Sequence, residues 1–257
     1  MLRKLLKYDL RATLNFFLWL FYGLAILFAI LTKICFSRAD ILIVQILAQI
    51  FNGATISMIA NILINNLMRI WVYFKQNLYG DEGYLMQTLP VLRRDLLKSK
   101  YLTGIFSMCV SVLVIIATLL IAYLTPESFE MVRGILGEGT PISTIIMLAI
   151  LILLELIAML VAGMMGIILG YQKLNNRTAW SVLFGFVCYL GMQQVVGIGL
   201  AILALINPTI GEALLSNALP SFKILEPMLI MATIIYVVDI IGGYFLARKW
   251  FRKVDLD

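Results

Sequence analysis

Six uninterrupted apolar runs constrain this chain more than any other feature: Phe16–Phe36, Ile41–Phe74, Tyr101–Leu124, Ser143–Gly170, Thr178–Ile206 and Pro227–Ala247. A helix needs about 20 apolar residues to cross a bilayer, and each run is long enough. None alternates with period two, so a membrane β-barrel is excluded. Hydrophobic residues make up 62% of the 257 residues and charged residues 13%. Soluble domains hold about 45–50% apolar and about 25% charged residues. The sequence predicts an all-α integral membrane protein, a single transmembrane domain of six transmembrane helices. The second run exceeds what a bilayer needs, so it should tilt or project beyond the membrane.

Basic residues set the expected orientation. Arg3, Lys4, Lys7 and Arg11 precede the first run. Arg69, at the end of the second run, and Lys75, Arg93, Arg94, Lys98 and Lys100, between the second and third, form the next cluster. Lys173 and Arg177 follow the fourth, and Arg248, Lys249, Arg252 and Lys253 follow the sixth. Sixteen of the 20 basic residues thus share one side, which predicts a multi-pass protein of the cell membrane with both termini cytoplasmic. The other side carries Lys33, Arg38, Arg133 and Lys223 among acids such as Glu127, Glu130, Glu138 and Glu226. The net charge of +6 mostly reflects this bias, so a nucleic-acid partner is not expected. The first run is too long for a cleaved leader, and no small-residue cleavage site follows it.

Several chemistries are excluded. The chain has no histidine, which removes His-dependent catalysis and the common His metal sites. Its three cysteines all lie within apolar runs, as small core residues do. No phosphate-binding P-loop pattern occurs. Neither a catalytic constellation nor a metal site is expected, and no cofactor is assigned to this chain.

Two polar regions flank the spans. In the first 14 residues, Leu2, Leu6, Leu10 and Leu14 recur every four positions, with Arg3, Lys7 and Arg11 on the adjacent ridge. That pattern predicts an interfacial helix in the headgroup layer. The alternative is a plain basic anchor continuous with the first span. Asp9 is the misfit, because it falls on the apolar arc. Residues 75–100 form the long polar stretch between spans two and three. Within them Tyr84, Leu85, Met86 and Leu89 make an apolar patch, and Pro90 should stop a helix at the preceding residue. An apolar anchor with a polar rim is how interfaces are built. The same patch would also suit a loop that dips into lipid. Arg93 and Arg94 are placed to meet anionic headgroups or a partner's acids.

The central segment runs Gly80-Asp81-Glu82-Gly83-Tyr84-Leu85-Met86-Gln87-Thr88-Leu89-Pro90-Val91, with Leu97-Lys98-Ser99-Lys100 following. With the amphipathic start, the six spans and the basic tail Arg248–Asp257, it resembles the type-2 ABC transporter permeases, the membrane subunits of mostly bacterial exporters. The likeness covers nearly the whole chain in architecture but about a tenth of it in motif. It implies that residues around 81–90 form a cytoplasmic coupling helix. Asp81, Glu82, Gly83, Tyr84, Leu85, Met86, Thr88, Leu89 and Pro90 would dock on an ABC ATPase subunit. It also implies a second permease subunit, identical or different. ATP and Mg would sit on the ATPase chains, not on this one.

Ionisable groups inside spans are costly and usually face a bundle interior or cavity. Glu155 and Asp239 are the clear cases. Helical rise puts Glu155 about 22 Å above Gly170, and Lys33 about 25 Å above Phe16. Lys33 should therefore either pair with Glu155 or snorkel to the outer headgroups. Asp239 lies about 13 Å from Arg248, near mid-membrane. Span two carries Gln45, Gln49 and Asn52 on one face and Asn61 and Asn65 on nearly the opposite one, separated by Gly53. These amides, with Glu155 and Asp239, could line a translocation pathway or bond between helices. Ala158, Ala162, Gly166 and Gly170 form a small-residue stripe, which reads as helix packing. The glycines of span five are less regular and allow either close packing or bending. Residues 207–226 are fairly apolar despite two prolines, which suits short helices dipping into the outer leaflet.

The resulting expectation is a non-enzymatic permease subunit of an ATP-driven exporter for a hydrophobic or amphipathic peptide or antibiotic. An ion-coupled secondary transporter is one alternative. A non-transporting membrane scaffold or sensor is the other.

Overall fold

A computed structural model of the chain describes residues 2–38, 41–80, 83, 92–124, 142–173, 175–215 and 222–251. Among them the structure is helical throughout, with no strand. The helices are α1 (Leu2–Thr13), α2 (Phe16–Ser37), α3 (Leu42–Tyr79), α4 (Arg93–Tyr123), α5 (Ile142–Gly170), α6 (Arg177–Ile206), α7 (Pro208–Leu215) and α8 (Phe222–Phe251). Six of them, α2 to α6 and α8, are long and apolar enough to cross a membrane.

The helices run past the apolar stretches that mark the spans. α3 has 38 residues, about 57 Å at helical rise, and passes Gly53 without a break in helical structure. α4 begins at Arg93, so the last part of the polar segment is already helix. Its register buries Leu96 and Leu97 while Arg93 and Arg94 are exposed. α1 is separate from α2. Asn15 lies between them in extended backbone, and its side-chain oxygen accepts the Phe16 N–H at 2.6 Å, capping α2. In the segment between spans five and six, α7 starts with Pro208 at its first position, where a missing N–H costs nothing. α8 begins five residues before Pro227 and carries that proline inside it.

The chain divides into two compact units, Met1–Tyr73 with Lys98–Glu138, and Phe74–Leu97 with Gly139–Asp257. The boundary runs through α3 and α4.

In the first unit, α2 buries Leu18, Tyr22, Ala25, Ala29 and Thr32. These recur in alternating steps of four and three, the spacing of one helical face. Leu18, Tyr22 and Ala25 form a core with Ile62 of α3 and Ile115 of α4. Leu27, Ile30 and Ile34, on the rest of α2, are exposed. Apolar side chains turned outward along such helices suit a hydrocarbon solvent. Polar bonds cross this core. The Tyr22 hydroxyl lies 2.7 Å from Ser111 Oγ. Asn66, fully buried, donates to Ser111 Oγ at 2.6 Å and to the Ser107 carbonyl at 3.1 Å, and accepts from Ser107 Oγ at 2.8 Å. Thr32 and Thr55 join α2 to α3 at 3.1 Å.

The second unit is packed differently. Ala158, Ala162, Gly166 and Gly170 of α5 are all buried. A Cβ added to Gly166 would overlap the backbone of Gly185, and one on Gly170 would overlap Ser181. The small-residue stripe is thus the contact face between α5 and α6. Of the α6 glycines, Gly185 and Gly199 also pack closely, the latter against Ile235 of α8. Gly191 and Gly197 have open space around them. Gly243 of α8 lies against Val161, Met165 and Met192.

Candidate functional site

Of the docking residues expected from the sequence, Asp81, Glu82, Tyr84, Leu85, Met86, Thr88, Leu89 and Pro90 lie outside the described residues. Gly83 is described. It is buried, and its N–H donates to the Gly80 carbonyl at 2.8 Å. A Cβ there would stand 2.8 Å from the Leu78 carbonyl oxygen, and one on Gly80 would stand 2.7 Å from that of Gln76. Both glycines are therefore required by close backbone approach as the chain leaves α3. Just before them, Tyr79 stacks on Tyr171 with ring centroids 4.4 Å apart.

The first unit holds a buried charged cluster that the sequence pattern did not single out. Asp9 of α1 and Lys100 of α4 form an ion pair at 2.6 Å, each side chain 1% exposed. The same carboxylate accepts from the Tyr73 hydroxyl at 2.8 Å and from Ser99 Oγ at 2.6 Å. The Lys100 ammonium also sits 4.3 Å from the centre of the Tyr73 ring. A buried charge needs pairing and further hydrogen bonds to offset its desolvation, and this site supplies both. The misfit at Asp9 thereby acquires its reason. The arc of α1 that carries Asp9 and Thr13 is turned toward protein, while Arg3, Lys4, Lys7 and Arg11 are exposed. An acid on an otherwise apolar arc was the available signal.

The amides of α3 separate into groups. Gln45 and Gln49 are exposed and, with Phe36, Leu42, Ile46 and Ala48, line an open groove. Asn52 accepts a hydrogen bond from the Tyr123 hydroxyl of α4. Asn61 and Asn65 donate to carbonyls one turn back on their own helix, those of Ser57 and Asn61, at 3.0 Å each. The buried interhelical amide of this stretch is their neighbour Asn66, which the two-face reading passed over.

In the second unit, Glu155 is half-buried among donors from α6. The Tyr189 hydroxyl and Gln193 Nε2 approach the same carboxylate oxygen at 3.3 Å and 3.4 Å. Gln193 Nε2 also donates to Tyr189 at 2.9 Å, and its carbonyl accepts from Tyr236 of α8 at 3.1 Å. These bonds run from Tyr236 through Gln193 and Tyr189 to Glu155, joining α8, α6 and α5. The direct partners of Glu155 lie on α6, with Tyr236 of α8 behind them. Tyr189, Gln193 and Tyr236 were not anticipated, although Tyr189 and Gln193 stand one turn apart on one face of α6. Asp239 lies one turn beyond Tyr236, and its Oδ2 is buried with no hydrogen-bond partner among the described residues. Lys33 is exposed on α2 and belongs to the first unit, whereas Glu155 belongs to the second.

The arrangement can therefore hold α1 to α3 and α4 in the first unit, and links α5, α6 and α8 through one hydrogen-bond network in the second. Among the described residues no three histidine, cysteine, aspartate or glutamate side chains gather as metal ligands. No family model matches this chain, and no curated protein or solved structure matches it.

Proposed function

We propose that this chain is the membrane-spanning subunit of an ATP-driven exporter of the type-2 ABC permease kind. Both termini face the cytoplasm, and two such subunits work with two ATPase chains. The observation that carries this reading is the apolar patch Tyr84, Leu85, Met86 and Leu89, set in the longest polar stretch on the predicted cytoplasmic side. A chain without a phosphate-binding loop needs a place for a soluble motor to grip, and this patch offers one.

Two features of the flanks support it. The segment joins α3 and α4, both longer than a bilayer requires, so a push on it acts on two spans. The residues that close the motif, Ser99 and Lys100, are bound to Asp9 of α1. The cargo class proposed is a hydrophobic or amphipathic peptide or antibiotic, with Glu155 and Asp239 as the charged points along the spans.

An ion-coupled transporter is the second reading, and the bond network ending at Glu155 is what favours it. Copurification separates the two. The chain purified from its native membrane should bring down an ATP-hydrolysing partner. Leu85→Asp should release that partner while the chain stays inserted, because a charge in an apolar pocket costs several kcal/mol. An intact complex with unchanged ATP turnover would argue that residues 81–90 lie in lipid.

A further inference from the structure

We propose that a groove between the start of α4 and the end of α8 binds the headgroup of an anionic phospholipid. Leu92, Arg93, Arg94 and Leu97 line it on one side, Arg248 and Phe251 on the other. All six belong to the second unit. Leu97 and Phe251 are buried, at 0% and 6% exposure, and supply an apolar floor. Three of the six lining residues are arginines.

Their charge is poorly balanced. Asp95 stands 4.0 Å from Arg94 in a half-exposed pair. Among the described residues neither Arg93 nor Arg248 has an acidic partner in an ion pair. The first turn of α4 adds the positive end of its helix dipole. Planar guanidinium groups match phosphate oxygens in two-pronged hydrogen bonds. Basic pockets between spans on the cytoplasmic side are where anionic headgroups are held.

The apolar surroundings point to a lipid rather than an acidic peptide. The groove lies at the ends of two helices long and apolar enough to cross a membrane. On α8 the apolar side chains Ile241, Phe245 and Leu246 are exposed within two turns of Arg248. A phosphate at the arginines and an acyl chain along α8 satisfy both halves of this surface. The lipid would then tie α4, where the polar segment ends, to the last turn of α8. This inference needs only the membrane reading and is independent of the exporter reading.

The test uses the full chain in neutral detergent micelles, with bound lipid counted by native mass spectrometry. Phosphatidylglycerol is compared with phosphatidylcholine, which carries a phosphate but no net charge. The wild type should retain phosphatidylglycerol preferentially. Arg93→Gln and Arg248→Gln should each lower that preference about fivefold, and the double variant should abolish it. Arg177→Gln, an exposed arginine on the same predicted side, should leave it unchanged. Circular dichroism checks that each variant is folded. A double variant with undiminished preference overturns the proposal, and so does an equal loss in Arg177→Gln, which would mean that surface charge alone attracts the lipid. Displacement by millimolar inorganic phosphate would show a site for free anions and overturn the lipid assignment.

Discussion

In the first unit, Asn66 reaches from α3 to α4 with two donated bonds and one accepted. In the second, Gly166 lets α5 lie directly on the backbone of α6. The contrast is general. Eleven of the 14 buried polar residues among the described ones belong to the first unit. Hydrocarbon offers helices no hydrophobic reason to associate, so they must use hydrogen bonds or close van der Waals contact. The first unit relies mainly on buried hydrogen bonds, while the second adds close small-residue packing to the half-buried network at Glu155. Bonds fix a register, because a helix that slides or turns loses its partners. A smooth face of small residues fixes a distance and is more tolerant of sliding. The unit with the smooth face is also the one whose charged network, at Glu155, is only half-buried.

The comparison can be broken first at Asp9. Asp9→Asn leaves the Lys100 ammonium buried without its counter-charge, which should cost about 3–5 kcal/mol. Thermal unfolding of the purified chain should register it as the largest loss of any single substitution considered. Asp9→Asn combined with Lys100→Met should recover part of that loss. A cost under about 1 kcal/mol, as for a surface pair, would show that the pair is solvated and the first unit is not polar-locked.

The second unit is tested with a single methyl group. Gly166→Ala puts a Cβ into the Gly185 backbone and should destabilise by about 1–3 kcal/mol through overpacking. The smallest effect should have the opposite sign. Gly53→Ala, in the first unit, adds the same methyl where no atom beyond its chain neighbours and the adjacent turns of its own helix backbone lies within 4 Å. It should stabilise α3 by up to about 1 kcal/mol, through helix propensity alone. Equal costs for the two substitutions would erase the distinction between bonded and close-packed units.

Much of the fold can be read from length and hydropathy, because a bilayer fixes how long an apolar helix must be. The six spans and the four-residue stripe of α5 are legible for that reason. Facing is harder. In a soluble helix the polar side marks the outside, but here both sides of a span are apolar, and the periodicity that would orient it is lost. Asn61, Asn65 and Asn66 show the difficulty. Their sequence spacing does not tell which amide finds a partner on another helix and which two bond back to their own. Asp9 stands out as a misfit, but its partners cannot be read, for a further reason. Asp9, Tyr73, Ser99 and Lys100 are far apart in the chain, and Lys100 looks like one more basic residue at a span boundary.

The Asp9–Lys100 bond also has a consequence for how the protein is made. Its partners are 91 residues apart. A ribosome adding about 5–20 residues per second needs about 5–20 s to travel from one to the other. During that interval α1 has been synthesised while its buried acid has no counter-charge. The N-terminal helix can take its final seat only after α4 has emerged. Any factor that shields a nascent amphipathic segment at the membrane surface would act within this window, and Asp9→Asn would remove the cue that ends it.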